Sequence, residues 1–262
     1  RDRLLPPGII YSSWGRTLRM DRVVFNPFAP LMLILLFGLL VLVGLVIILF
    51  PILFLTAIGA TFTKLGFSWR EALLILLLTL AGSFVNIPVR TLESRAAPAY
   101  DRYVAMYGRL YRIPQPVQRT VLAVNVGGAL IPLAISLYLL YDSVVISGGY
   151  LVMGLALAGV AVVTVVTKVV ARPVPGLGIA TPFFIPPLAA LFAALILSTF
   201  AGGVPAAAVI IAYVSGTLGT LIGADLLNLG HIAELGAPMA SIGGAGTFDG
   251  IFLSGIIAAL LA

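Results

Sequence analysis

The chain has 262 residues, of which 61% are hydrophobic and only 9% charged. Soluble globular domains carry roughly 25% charge, so these numbers exclude a soluble enzyme, a nucleic-acid reader and a disordered tail. The chain has no cysteine, which excludes disulfides, thiolate metal sites and cysteine nucleophiles.

Long uncharged apolar stretches recur along the chain, so it reads as an all-α, polytopic transmembrane helical bundle. Seven spans are predicted, near 28–56, 70–90, 118–141, 149–170, 179–200, 203–229 and 242–262. The whole chain 1–262 is expected to form a single transmembrane domain. Residues 1–27, with Trp14 and several arginines, form a juxtamembrane anchor, and no cleavable signal-peptide pattern opens the chain. The first apolar stretch is long enough to tilt or to kink at Pro51. Between the second and third spans lies the largest polar insertion, 91–117. There Tyr100, Tyr103, Met106, Tyr107, Leu110 and Tyr111 recur at helical spacing with arginines on the other face. That pattern predicts an amphipathic helix on the cytoplasmic membrane surface.

The net charge of +6 follows topology rather than a nucleic-acid surface. The N-terminal segment, the 91–117 insertion with its flanks and the loop after the fourth span carry thirteen Lys and Arg. The opposite side receives only Lys64 and Arg70. This positive-inside bias places the N-terminus in the cytoplasm and, with seven spans, the C-terminus outside the cell membrane. The lipid bilayer is the first partner the sequence implies, and nucleic acid is excluded. Nothing in the chain speaks to oligomeric state.

Three pairs of segments match in the same order. NPFAPLMLILLF from Asn26 matches TPFFIPPLAALF from Thr181. LAGSFVNIP matches LIGADLLNL, and VNVGGALIP matches SIGGAGTFD. The order suggests two three-span units joined by the fourth span, a 3+1+3 internal repeat. It pairs Asn86 with the Asp225–Asn228 region and Gly127–Gly128 with Gly243–Gly244.

Two acids interrupt the most apolar third. From Leu188 to the C-terminus the residues among Asp, Glu, His, Lys and Arg are Asp225, His231, Glu234 and Asp249. A charge in a spanning helix costs roughly 2.5–3.5 kcal/mol on insertion scales, so such a residue faces a partner, a cavity or a reaction. Asp225 near the end of the sixth span and Asp249 near the start of the seventh are expected at similar depth. Two carboxyls held close share a proton and titrate as a pair. One carboxylate then activates water while the other acid protonates a carbonyl oxygen, the chemistry of aspartic proteolysis. Gly243, Gly244, Gly246 and Gly250 surround Asp249. They allow close backbone approach and predict a partly unwound start to the seventh span.

The acid pair, with GAGTFD carrying the second aspartate, resembles presenilin-like and signal-peptide-peptidase-like intramembrane aspartyl proteases. Those carry one aspartate in each of two successive spans, the second after a Gly-x-Gly element. Here two residues are inserted before Asp249, and Gly223-Ala224 precedes Asp225 where the family has tyrosine. The resemblance implies Asp225 and Asp249 as the catalytic residues and a transmembrane peptide as substrate. The chain as a whole resembles an uncharacterised family of prokaryotic multipass membrane proteins. The segments GSFVNIPV, PVPGLGIATPFFIPPL, GADLLNL and GGAGTFDGIF carry that resemblance, which implies no activity.

Asn228, three residues after Asp225, is a candidate to orient the carboxyl or to bridge helices. Asn86 and Asn125 are further supporting or substrate-binding candidates, with cross-helix bonding as the plainer role. His231, Glu234 and Asp225 drift around a helix, so no metal site is assigned, and no cofactor is called for. PVPGLGIATPFFIPP cannot begin as a regular helix. Two other functions fit the same residues. One is a proton- or cation-coupled transporter or channel using the acids, and the other is a non-catalytic membrane assembly protein in which they are structural.

Overall fold

The computed structural model describes residues 28–93, 103–106, 109–112, 119–174, 178–234, 238–244 and 250–262. The juxtamembrane segment 1–27, Gly246 and Asp249 lie outside these residues. The described chain is mostly helical and groups into two bodies, 1–51 and 52–262.

The first body contributes the beginning of α1 (Ala29–Lys64), in which Pro51 stands inside the helix. Its large apolar side chains from Phe28 to Phe50 are exposed. A helix apolar all round is what a bilayer solvates.

In the second body, α2 (Trp69–Gly82) starts at a capping box. Ser68 Oγ accepts from the Glu71 N–H, and the Ser68 N–H donates to Glu71 Oε2 at 2.7 Å. This satisfies two amides that a helix start leaves without partners. Next come β1 (Asn86–Glu93), β2 (Tyr103–Met106), β3 (Arg109–Arg112) and β4 (Arg119–Asn125). A π-turn, Val126–Leu130, leads into α3 (Ile131–Ser147), which ends at Gly148 with φ +63°. Then follow α4 (Leu151–Val170), a hairpin of β5 (Arg172–Val174) and β6 (Gly178–Ala180), and α5 (Ile185–Ser198) with proline in its first turn. Finally α6 (Ala207–Thr220) continues as a π-turn, Leu221–Asp225, and a 3-10 helix, Leu226–Glu234. β7 (Met239–Ile242) precedes α7 (Gly250–Leu261).

Among the described residues seven α-helices fall at the seven predicted places, but they are not equal. Among the described residues, four segments are long and apolar enough to cross a membrane: Pro30–Lys64, Val126–Ser147, Leu151–Val170 and Ala207–Ile232. α2, α5 and α7 have 14, 14 and 12 residues. At 1.5 Å per residue they reach about 18–21 Å, short of a hydrocarbon core of about 30 Å.

The insertion 91–117 is corrected from helix to strand wherever it is described. β2 pairs antiparallel with β3, and Glu93 at the end of β1 pairs with Arg119. Proline at 88, 98, 114 and 116 interrupts any helix through this region. Tyr, Val and Thr suit the pleated surface instead. The helical spacing of the tyrosines was local, whereas the pairing of β1 with β4 spans some thirty residues of chain and left no local period. The second and third spans are shortened accordingly, since residues 86–90 are β1 and 119–125 are β4. The start of the seventh span is also not helix, for Ile242 ends β7 and Gly243 and Gly244 have φ of +83° and +77°.

α6 is the axis of the second body. It packs against α4, α5, α7 and α3, and of the crossing segments it lies deepest. In lipid, helices associate by close packing rather than by the hydrophobic effect. The Ala, Ser and Gly along α6 serve that. Ile58, Phe62, Leu139, Ile211, Tyr213 and Phe252 fill the core around it.

Candidate functional site

The site grows from two strand-to-helix junctions lying side by side. β4 runs parallel to β7, with Val124 opposite Ile242, and antiparallel to β1, with Asn125 opposite Asn86. After each parallel strand comes a glycine pair and then a helix: Gly127–Gly128 before α3, and Gly243–Gly244 ahead of α7. The pairs touch. A Cβ on Gly128 would overlap the Gly243 carbonyl oxygen, and one on Gly243 would lie 2.6 Å from the Ala129 nitrogen.

Asn125 is wholly buried at the end of β4. Its Oδ1 accepts from the Gly128 N–H at 2.7 Å, which caps the π-turn. Its Nδ2 donates to the Ser83 carbonyl at 2.7 Å and to Asn86 Oδ1 at 3.1 Å. Ser241 Oγ on β7 donates to the same Asn86 oxygen at 2.6 Å. Three side chains therefore tie the ends of β1, β4 and β7 together. Asn125→Ala leaves the Gly128 amide and the Ser83 carbonyl without this partner in a buried place. The expected cost is about 3 kcal/mol, read as a lower melting temperature in detergent. An unchanged melting point would show the network to be dispensable.

Asp225 closes the π-turn after α6 and is half-buried. Its Oδ2 accepts from the Gly243 N–H at 2.7 Å. The carboxyl is thus docked on the glycine turn that follows β7, and through Gly243 it joins the strand network.

Asn228 sits elsewhere. Its Nδ2 donates to the Gly223 carbonyl at 3.1 Å and the Ala224 carbonyl at 2.7 Å, and its Oδ1 accepts from Lys168 Nζ at 2.6 Å. Lys168 also donates to the Leu227 carbonyl at 2.7 Å. This clasp gives side-chain donors to the Gly223, Ala224 and Leu227 carbonyls where the π-turn passes into the 3-10 helix. It holds the backbone on either side of Asp225 against the end of α4. His231 is exposed on the 3-10 helix.

The structure therefore joins Asn86, Asn125, Gly243 and Asp225 in one connected set and gives Asn228 to Lys168. Sequence reasoning passed over Ser241 and Lys168. Ser241 had a signal, because NVGG and SIGG each place a polar residue two positions before the glycine pair. Lys168 had none, being sixty residues from Asn228.

No curated protein and no solved structure matches this chain. A family model matches residues 80–261, more than half of the chain and the whole of the connected set. The chain therefore belongs to a family described as protein of unknown function (DUF1614).

Proposed function

We propose that this membrane protein is an intramembrane aspartyl hydrolase, in which Asp225 and Asp249 cleave a peptide bond of a transmembrane substrate. The observation that carries the reading is the bond from the Gly243 N–H to Asp225 Oδ2. It docks the first acid on the segment that leads to the second. Asp249 is only six positions beyond Gly243, a tether of about 20 Å at full extension. One carboxylate takes a proton from water while the other acid gives its proton to the substrate carbonyl oxygen. Gly243, Gly244 and Gly246 offer backbone groups to an extended substrate strand, and Asn86, Asn125 and Asn228 hold the frame. The bilayer of the cell membrane supplies the substrate, with the N-terminus of the chain on the cytoplasmic side.

The cysteine-free chain allows a direct test. Asp225→Cys combined with Asp249→Cys is expected to cross-link on oxidation in native membranes. That requires Cα atoms roughly 4.4–6.8 Å apart. A folded double variant that does not cross-link separates the acids and removes the proposal.

A further inference from the structure

α1 ends in a tight turn that fixes one wall of a groove. Gly66 has φ +94°, and its N–H donates to the Thr63 carbonyl at 3.1 Å. The Phe67 N–H donates to the Phe62 carbonyl at 3.0 Å. Those two bonds make a Schellman turn, which folds the residue after the glycine back onto its own helix. Phe67 accordingly meets the ring of fully buried Phe62 edge-on at 5.7 Å. Its ring also lies 5.4 Å from that of Tyr138 on α3. Two aromatic rings are thereby held beside the start of α2.

Along α2, Glu71, Leu74, Ile75 and Leu78 recur at helical spacing and share a face. With Gly66, Phe67 and Tyr138 they line a groove of about 360 Å³. From Glu71 to Leu78 it runs about 10 Å along the helix. Leu74 and Leu78 are exposed, so lipid reaches the groove from the side. Its two ends differ. One holds Glu71 and the two rings, and the other holds Ile75 and Leu78.

Among the described residues Glu71 is the only charged side chain lining the groove. Its carboxylate accepts from the Ser68 N–H and pairs with no Lys or Arg of those residues. Arg70, next in sequence, does not line the groove. Lys64 is turned to the end of α7, where its Nζ donates to the Leu260 carbonyl at 2.8 Å. A carboxylate beside aromatic rings attracts a cation, the rings through their quadrupoles, and repels an anion. Aromatic side chains of this kind mark the head-group level of a bilayer. A charged lip continued by an apolar shaft has the polarity of a membrane lipid.

We propose that the groove between α2 and α3 is a binding site for a phospholipid whose head group carries an ammonium. The ammonium sits at Glu71 beside Phe67 and Tyr138, and one acyl chain lies along Leu74, Ile75 and Leu78. Bulk lipid is as apolar as leucine, so the chain itself gains little from the groove. Selectivity therefore comes from the head group. The site shares no residue with the Asp225 set and is independent of the hydrolase reading.

The test is native mass spectrometry of the full chain in detergent. Phosphatidylethanolamine and phosphatidylglycerol with identical acyl chains are added in equal amounts. Glu71→Gln removes the charge yet keeps an oxygen for the Ser68 N–H, since a capping box takes Glu or Gln. It is expected to melt like the parent. The ratio of ethanolamine to glycerol lipid retained is expected to fall about fivefold in this variant, as for an exposed ion pair with a cation–π contact. The arginines elsewhere act on both proteins alike, so the change in ratio isolates the groove. Leu78→Trp fills the apolar end with Glu71 intact, and the ratio is expected to fall there too. An unchanged ratio in folded Glu71→Gln overturns the proposal. If Glu71→Gln melts early, Leu78→Trp decides, and an unchanged ratio in that variant overturns it as well.

Discussion

Asp225→Asn is expected to abolish cleavage of a transmembrane peptide while leaving the protein folded. The asparagine keeps an oxygen where Oδ2 accepts from Gly243, so the tie between the end of α6 and the turn after β7 survives. What it loses is the ability to take or give a proton. General acid–base catalysis contributes about 10²–10⁴-fold, and a carboxyl pair that shares one proton depends on both members. The loss is therefore expected at about 10³-fold or more in kcat with little change in KM. Asp249→Asn should match it, and the double variant should be no worse than either single one, because the two act as a unit. Cleavage of a fluorescent transmembrane peptide in detergent, read by mass spectrometry, decides the matter. If both single variants cleave at the parental rate, the acids are not catalytic. Asp225→Ala separates roles, since it also removes the acceptor for the Gly243 amide and should lower the melting temperature.

Gly128→Ala should have the largest effect on the fold. The added Cβ would overlap the Gly243 carbonyl oxygen and lie 3.3 Å from Asn125 Oδ1. The obstacle is backbone, not the end of a flexible side chain, so one strand-to-helix junction must move off the other. Overpacking of this kind costs about 3 kcal/mol or more when backbone has to shift. The β4–β7 pairing and the amide that Gly243 gives to Asp225 would be disturbed together, so activity should fall along with stability. Gly154→Ala is the control. Gly154 lies inside α4 with nothing within 4 Å of the new Cβ, so its melting temperature should hold or rise. If Gly128→Ala melts like the parent, the close approach of the two junctions is not needed.

Much of this protein was legible before any coordinates. Apolar run length and the near-absence of charge marked the places of the seven α-helices among the described residues, four of which are long and apolar enough to cross a membrane, because a segment in lipid must be apolar whatever it packs against. The glycines before α7 foretold a start that is not helical, and Pro173–Pro187 foretold a non-helical lead into α5. Asp225 stood out because a carboxyl among apolar residues needs a reason. The weak repeat pointed at the two glycine pairs that lie in contact.

Other features depend on groups far apart in the chain. The three-stranded sheet came only from the fold, since its strands are short and the tyrosine spacing of 91–117 mimicked a helix. So did the joining of Asn86, Asn125 and Ser241, and the transfer of Asn228 from Asp225 to Lys168. A hydrogen bond between residues 42, 60 or 155 positions apart has no local period to betray it. The π-turn is another such case. Its Gly223 and Ala224 carbonyls accept from nearby Asn228, but the side chain of Asn228 is in turn held by Lys168 of α4, sixty positions away. Composition and periodicity determined that this chain lives in a membrane and which residues are out of place there. Tertiary structure decided what those residues touch, because partners for buried polar groups are chosen by three-dimensional proximity.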